Sequence, residues 1–121
     1  MAINECLQKY TIQESATLLD AIKVIANNSA RAVVVLFGNK PIGMLSEGDI
    51  MRALMLGTDI HAHIKPLMQL SFKYLTTKDI DLAFNVFRQH LITLLPIVDV
   101  NMELVDVITL RDILKAASIQ N

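Results

Sequence analysis

Met44-Leu45-Ser46-Glu47-Gly48-Asp49-Ile50 and Val107-Ile108-Thr109-Leu110-Arg111-Asp112-Ile113 are the two stretches on which the fold turns. Each reads two apolar residues, a hydroxyl residue, two variable residues, an aspartate and an apolar residue. An apolar run that meets a hydroxyl residue reads as a strand passing into a helix, with Ser46 or Thr109 as the N-cap. Asp49 and Asp112 then stand at the third helical position. A carboxylate there bonds back to the cap residue's N–H and favours the positive helix end. Such a cap is worth about 1 kcal/mol and requires no ligand.

The match extends outward from these stretches, and a repeat decides the architecture. Thr11-Ile12, a helical stretch around Ala21 and Ala32-Val33-Val34-Val35 precede the first. Lys73-Tyr74, a helical stretch around Ala83 and Leu95-Pro96-Ile97-Val98 precede the second. Ala21 and Ala83 are 62 residues apart; Val33 and Pro96, like Asp49 and Asp112, are 63 apart. Each copy reads as strand, helix, strand, strand, helix. Leu18, Leu19, Ile22 and Ile25 recur at helical spacing, with Thr17 as cap and Asn27-Asn28-Ser29 as stop. Val33 to Phe37 is short and β-branched, and reads as a buried strand. Gly38-Asn39-Lys40-Pro41 is turn chemistry, and Ile42 to Leu45 returns. Ile50, Ala53 and Leu54 share one face of a helix that stops at Gly57. In the second copy Ile80, Ala83, Phe84 and Phe87 form an apolar face. Asp99 to Met102 turns, Leu104 to Ile108 returns, and Ile113, Leu114 and Ala117 face inward. Thr58 to Leu70 links the copies.

One copy of about 55 residues buries too little surface to stand comfortably alone. The expected class is therefore α/β in content and α+β in arrangement. Two β-α-β-β-α motifs, residues 1–63 and 64–121, pack through their sheets about a pseudo-two-fold axis. That arrangement predicts a cleft on each side of the junction, and concave junctions take small molecules.

Composition removes other classes. Hydrophobic residues are 53% of the 121 and charged residues 19%, so the chain is not disordered. Aromatic residues are 5% with no Trp, so the core is aliphatic. Eleven basic and twelve acidic residues, with no long run of one sign, give no basic face for nucleic acid. No apolar stretch reaches the roughly 18 residues of a membrane span. Met1 to Tyr10 does not read as a signal peptide, and the single Cys6 forms no internal disulfide. The expected compartment is the cytoplasm.

With both motifs at this spacing, nearly the whole chain resembles the tandem cystathionine-β-synthase (CBS) domain pair, or Bateman module. Leu95-Pro96-Ile97-Val98-Asp99 is the family's usual strand. Gly48-Asp49-Ile50-Met51-Arg52-Ala53-Leu54, with Gly57, is similar to the CBS pairs attached to sugar-nucleotide transferases and sugar-phosphate isomerases. The resemblance implies a non-catalytic regulatory module that takes AMP, ADP, ATP or adenosine. It also implies a disk-like homodimer through the motif helices, and control of a fused or separate nucleotidyltransferase or isomerase domain.

The resemblance assigns the ribose diol to Asp49 and Asp112, whose acceptor oxygens suit two adjacent hydroxyl donors. Ser46 and Thr109 offer hydroxyls to a sugar or phosphate. The base is expected against Ile12, Val33 and Leu45 at one site, and against Tyr74, Ile97 and Ile108 at the other. A phosphate needs a cation, and the family's position for one matches Arg31. The second copy has Leu94 there, with Thr93 beside it, and Asp106 where the first has Gly43. Both differences weaken a second phosphate subsite. The capping reading and the ligand reading both fit, and an oligomerisation module with empty clefts is the alternative function. The sequence places no catalytic residue, catalytic cofactor or metal: His61-x-His63 lacks further ligands, Cys6 lacks a placed base, and no Gly-rich phosphate loop occurs.

Overall fold

The computed structural model describes residues 5–120. In chain order it runs α1 (Glu5–Gln8), β1 (Thr11–Gln13), α2 (Leu18–Asn28), β2 (Ala32–Phe37), β3 (Lys40–Ser46) and α3 (Glu47–Met55). A single 3₁₀ turn at Lys65–Leu67 follows, then α4 (Ile80–His90), β4 (Leu94–Val98), β5 (Leu104–Thr109) and α5 (Leu110–Gln120). The first sheet has the order β1-β2-β3, with β1 parallel and β3 antiparallel to β2. The second is the antiparallel pair β4-β5.

Local signals set the helix ends. Thr17 and Asp20 form a capping box on α2: the hydroxyl accepts the Asp20 N–H at 3.2 Å, and the carboxylate accepts the Thr17 N–H at 3.0 Å. Asp79 caps α4 by accepting the Leu82 N–H at 3.1 Å. Both helices end on a left-handed residue, Ser29 (φ 60°) and Leu91 (φ 53°), which turns the chain back into the next strand.

β2 is buried from Ala32 to Leu36 because both of its faces are covered. Val33 and Val35 pack with Leu18, Ala21, Leu45 and Ile50 of their own copy. Val34 and Leu36 point the other way and pack with Leu94, Leu104 and Val107 of the second copy. Leu95, Ile97 and Ile108 look into a third cluster with Ala83, Phe87 and Ile113. The two copies thus stand sheet to sheet, each with its helices outside.

Several expectations are corrected. The second copy has no strand at Lys73–Tyr74; one parallel bridge, Leu75 to Ile97, stands in its place. Ile12 pairs with Val35 as Leu75 pairs with Ile97. Leu75 is therefore the buried counterpart of Ile12, and Tyr74 is exposed. Phe84, Leu54, Leu114 and Ala117 are also exposed, so the inward faces of α3, α4 and α5 are narrower than their apolar residues imply. The offset is not constant either. Ala32 pairs with Ser46 and Leu94 with Thr109, so β2 and β4 correspond at 62 residues. The second hairpin holds one more residue in its loop, where Asp99 accepts the N–H groups of Asn101 and Glu103 at 2.9 and 3.0 Å. The counterpart of Arg31 is therefore Thr93, not Leu94.

The link between copies is bound to the first copy. Ile64 is fully buried, and Leu18 N–H donates to the Ala62 carbonyl at 2.9 Å. Met44 and Gln69 exchange backbone hydrogen bonds at 3.0 and 2.8 Å. This approach explains why Gly43 stands where the second copy has Asp106. A Cβ at Gly43 would meet the Met68 sulfur at 2.9 Å and the Gln69 carbonyl at 3.1 Å. Asp106 instead pairs with Lys78 at 2.9 Å. Gly43→Val is expected to lower stability by about 1–3 kcal/mol through overpacking, read as a drop in urea midpoint with an unchanged slope.

Candidate functional site: two cavities at the junction of the copies

Each cavity takes a helix mouth from one copy and a helix exit from the other. The larger, about 630 Å³, lies between Ser46–Asp49 at the mouth of α3 and His90–Leu94 at the exit of α4. Gln69, Ser71, Phe72 and Lys73 close one side. The smaller, about 500 Å³, lies between Thr109–Arg111 at the mouth of α5 and Asn27–Arg31 at the exit of α2, with Lys9 and Tyr10 on its side. The two sets correspond under the repeat.

Asp49 is the most enclosed charged group at either mouth, with its side chain 7% exposed. Its carboxylate accepts the Ser46 N–H at 2.9 Å, and the Ser46 hydroxyl accepts the Asp49 N–H at 3.1 Å. Two further donors, the Arg52 guanidinium and the Gln69 side-chain amide, reach its Oδ1. Burial, the largest single influence, pushes the Asp49 pKa up. The Ser46 backbone N–H, the Ser46 hydroxyl, Gln69 and Arg52 together outweigh it, so the pKa lies below the usual carboxylate value. Asp112 repeats the box with Thr109, at 2.8 and 3.1 Å. Among the described residues no second side chain hydrogen-bonds to it.

The helix exits are wired to the helix mouths. Arg31 adopts φ 61°, uncommon for a residue with a side chain. Its carbonyl accepts the Glu47 N–H at 2.8 Å, one of the free amides opening α3. The Thr93 carbonyl does the same for Leu110 of α5 at 3.0 Å. The Thr93 hydroxyl also donates to the Ala30 carbonyl, tying one exit to the other.

The sequence model of the CBS domain matches the chain twice, over residues 7–56 and 75–119. The chain belongs to the CBS domain family. Solved CBS structures share its fold. A CBS domain protein of Pyrobaculum aerophilum, complexed with AMP, is 26% identical, with 90% of each chain covered and a TM-score of 0.75. A Vibrio cholerae protein named for acetoin utilization is 22% identical over 92% of this chain and 84% of its own, with a TM-score of 0.81. The CBS domain pair of protein MJ0100, in complex with 5′-methylthioadenosine and S-adenosyl-L-methionine, is 18% identical over 92% and 89%, with a TM-score of 0.78. No protein of curated function matches the chain in sequence.

In this CBS pair the larger cavity gathers Asp49, Ser46, Arg31 and Thr93 of the expected site residues. Arg31, Thr93 and Thr109 line the smaller one. Asp112, Ile12, Val33, Ile97 and Tyr74 line neither. Val33 and Ile97 sit within their own copy's core, and Tyr74 packs its ring 6.0 Å from Phe72. The sequence reading expected a cleft between the copies but drew each site's residues from one copy, and so did not name His90, Ile92, Gln69 and Phe72, which line the larger cavity. The repeat contained the missing signal, because a pseudo-two-fold axis pairs the mouth of one copy with the exit of the other. Among the described residues no group of three metal-ligating side chains occurs, and no helix is long and apolar enough to cross a membrane.

The sign of the Asp49 effect is fixed by its lowered pKa. Its contribution to stability is full above the ordinary value of 3.8 and is lost as pH falls through the lower folded value. Asp49→Asn is expected to cost about 1 kcal/mol at pH 7, the scale of a capping contact. The difference from the parent chain narrows as pH falls below that ordinary value. Urea unfolding across acid pH measures it.

Proposed function

We propose that this CBS pair is a regulatory module that binds an adenine nucleotide or nucleoside in the larger cavity. The observation that carries the reading is the Asp49 carboxylate, ionised and nearly buried at the edge of a cavity between the copies. Two of its donors, Arg52 and Gln69, are exposed side chains that a ligand's paired hydroxyls can replace. Met44, Phe72, Ile92 and Leu94 give an apolar wall for a base. Arg31 and Lys73 supply cations for a phosphate away from Asp49. The AMP in the Pyrobaculum aerophilum relative and the nucleosides in MJ0100 support the ligand class. Regulation follows if the ligand binds one arrangement of the copies better than another, which shifts their populations.

The proposed assembly is a cytoplasmic homodimer that controls a catalytic domain, fused or separate, of the nucleotidyltransferase or isomerase type. Met51, Leu54 and Met55 form an exposed apolar stripe on α3, with Leu114 exposed on α5. A second copy covering them removes an apolar patch from water. The same stripe favours the second reading, an oligomerisation module with empty cavities.

Calorimetric titration with AMP, ADP, ATP and adenosine separates the two. The ligand reading expects saturable heat with at least one of them, and at least tenfold weaker binding in Asp49→Ala. No heat with any of the four leaves the oligomerisation reading. For the assembly, Met55→Lys changes a residue 83% exposed. It is expected to shift light scattering from dimer to monomer with little change in unfolding midpoint.

A further inference from the structure

We infer that Arg31 is a counter-ion shared by the two cavities, so that phosphate-bearing ligands in them compete for one guanidinium. The inference rests on the ligand reading above and extends it to how the two sites communicate.

Arg31 and Thr93 border both cavities, because the exits of α2 and α4 meet back to back at the pseudo-two-fold axis. Arg31 is exposed, and among the described residues no carboxylate pairs with it. Its backbone is pinned by the left-handed φ and by the bond from its carbonyl to Glu47. From that fixed root the side chain stands beside both openings. The charges around it are unequal. The larger cavity offers Lys73 but also the acids Glu47 and Asp49, and its Arg52 is already engaged by Asp49. The smaller cavity offers Lys9 and Arg111 and has no acid among its lining residues. Asp106, which the sequence reading set against a phosphate at the second site, is paired with Lys78 and lies outside the lining. An anion in either cavity draws Arg31 to itself, because a charged hydrogen bond outweighs a solvated one. The second anion then binds without it.

The test uses AMP and two blocked variants. Asn27→Trp fills the smaller cavity from an exposed position and Ser71→Trp the larger. Adding Arg31→Gln to either is expected to weaken AMP binding about tenfold, the scale of one charge-assisted bond. In the parent chain Arg31→Gln is expected to weaken the first binding event by that factor and leave the second unchanged. Adenosine, which has no phosphate, shows neither effect. If Arg31→Gln weakens both events in the parent chain, or acts in only one blocked variant, Arg31 is not shared and the inference falls while the ligand reading stands. If AMP and adenosine give no heat, both fall.

Discussion

Val34 and Leu36 of β2 press against Leu94, Leu104 and Val107 of the other copy, and the rest of the molecule depends on that contact. Each copy alone would leave one face of its sheet in water. Burying an aliphatic side chain contributes roughly 1.5–3 kcal/mol, so separating the copies would expose much of what holds either together. The contact also fixes orientation. With β2 and β4 face to face about a pseudo-two-fold axis, the exit of α4 lies opposite the mouth of α3. The exit of α2 likewise lies opposite the mouth of α5. The cavities are a consequence of that packing.

At each mouth one carboxylate serves the backbone, and at the mouth of α3 it also borders the cavity. Asp49 closes a capping box with Ser46 and also holds Arg52 and Gln69. The first role makes the helix start where it does. The second leaves exchangeable donors on a charge already stripped of most water. A ligand that presents two hydroxyls replaces existing bonds and meets a preformed acceptor, which lowers the cost of binding. The two mouths are not equivalent, because the link between copies crosses only one of them. Gln69 reaches Asp49 because the 68–70 segment runs beside Gly43, and Asp112 has no such neighbour.

Much of this was legible in the sequence. The repeat, both capping boxes and the class of fold follow from Ser46, Thr109, Asp49 and Asp112 with the apolar runs before them. What escaped did so for physical reasons. One extra residue in the Asp99–Glu103 loop changes the offset from 63 to 62 upstream, and moves the counterpart of Arg31 from Leu94 to Thr93. A strand reduced to one bridge has no periodicity to read, so Tyr74 stood in for Leu75. Phe84 and Leu114 are apolar yet exposed, since apolarity alone does not say which face is covered. The cavity walls drawn from the opposite copy required the symmetry axis as well as the repeat.

Amide chemical shifts recorded during AMP addition test whether the mouth of α3 and the exit of α4 form one ligand site. Ser46–Asp49 and His90–Thr93 are expected to move together along one binding curve. Movement of one segment without the other, or changes confined to surfaces remote from both, would contradict it.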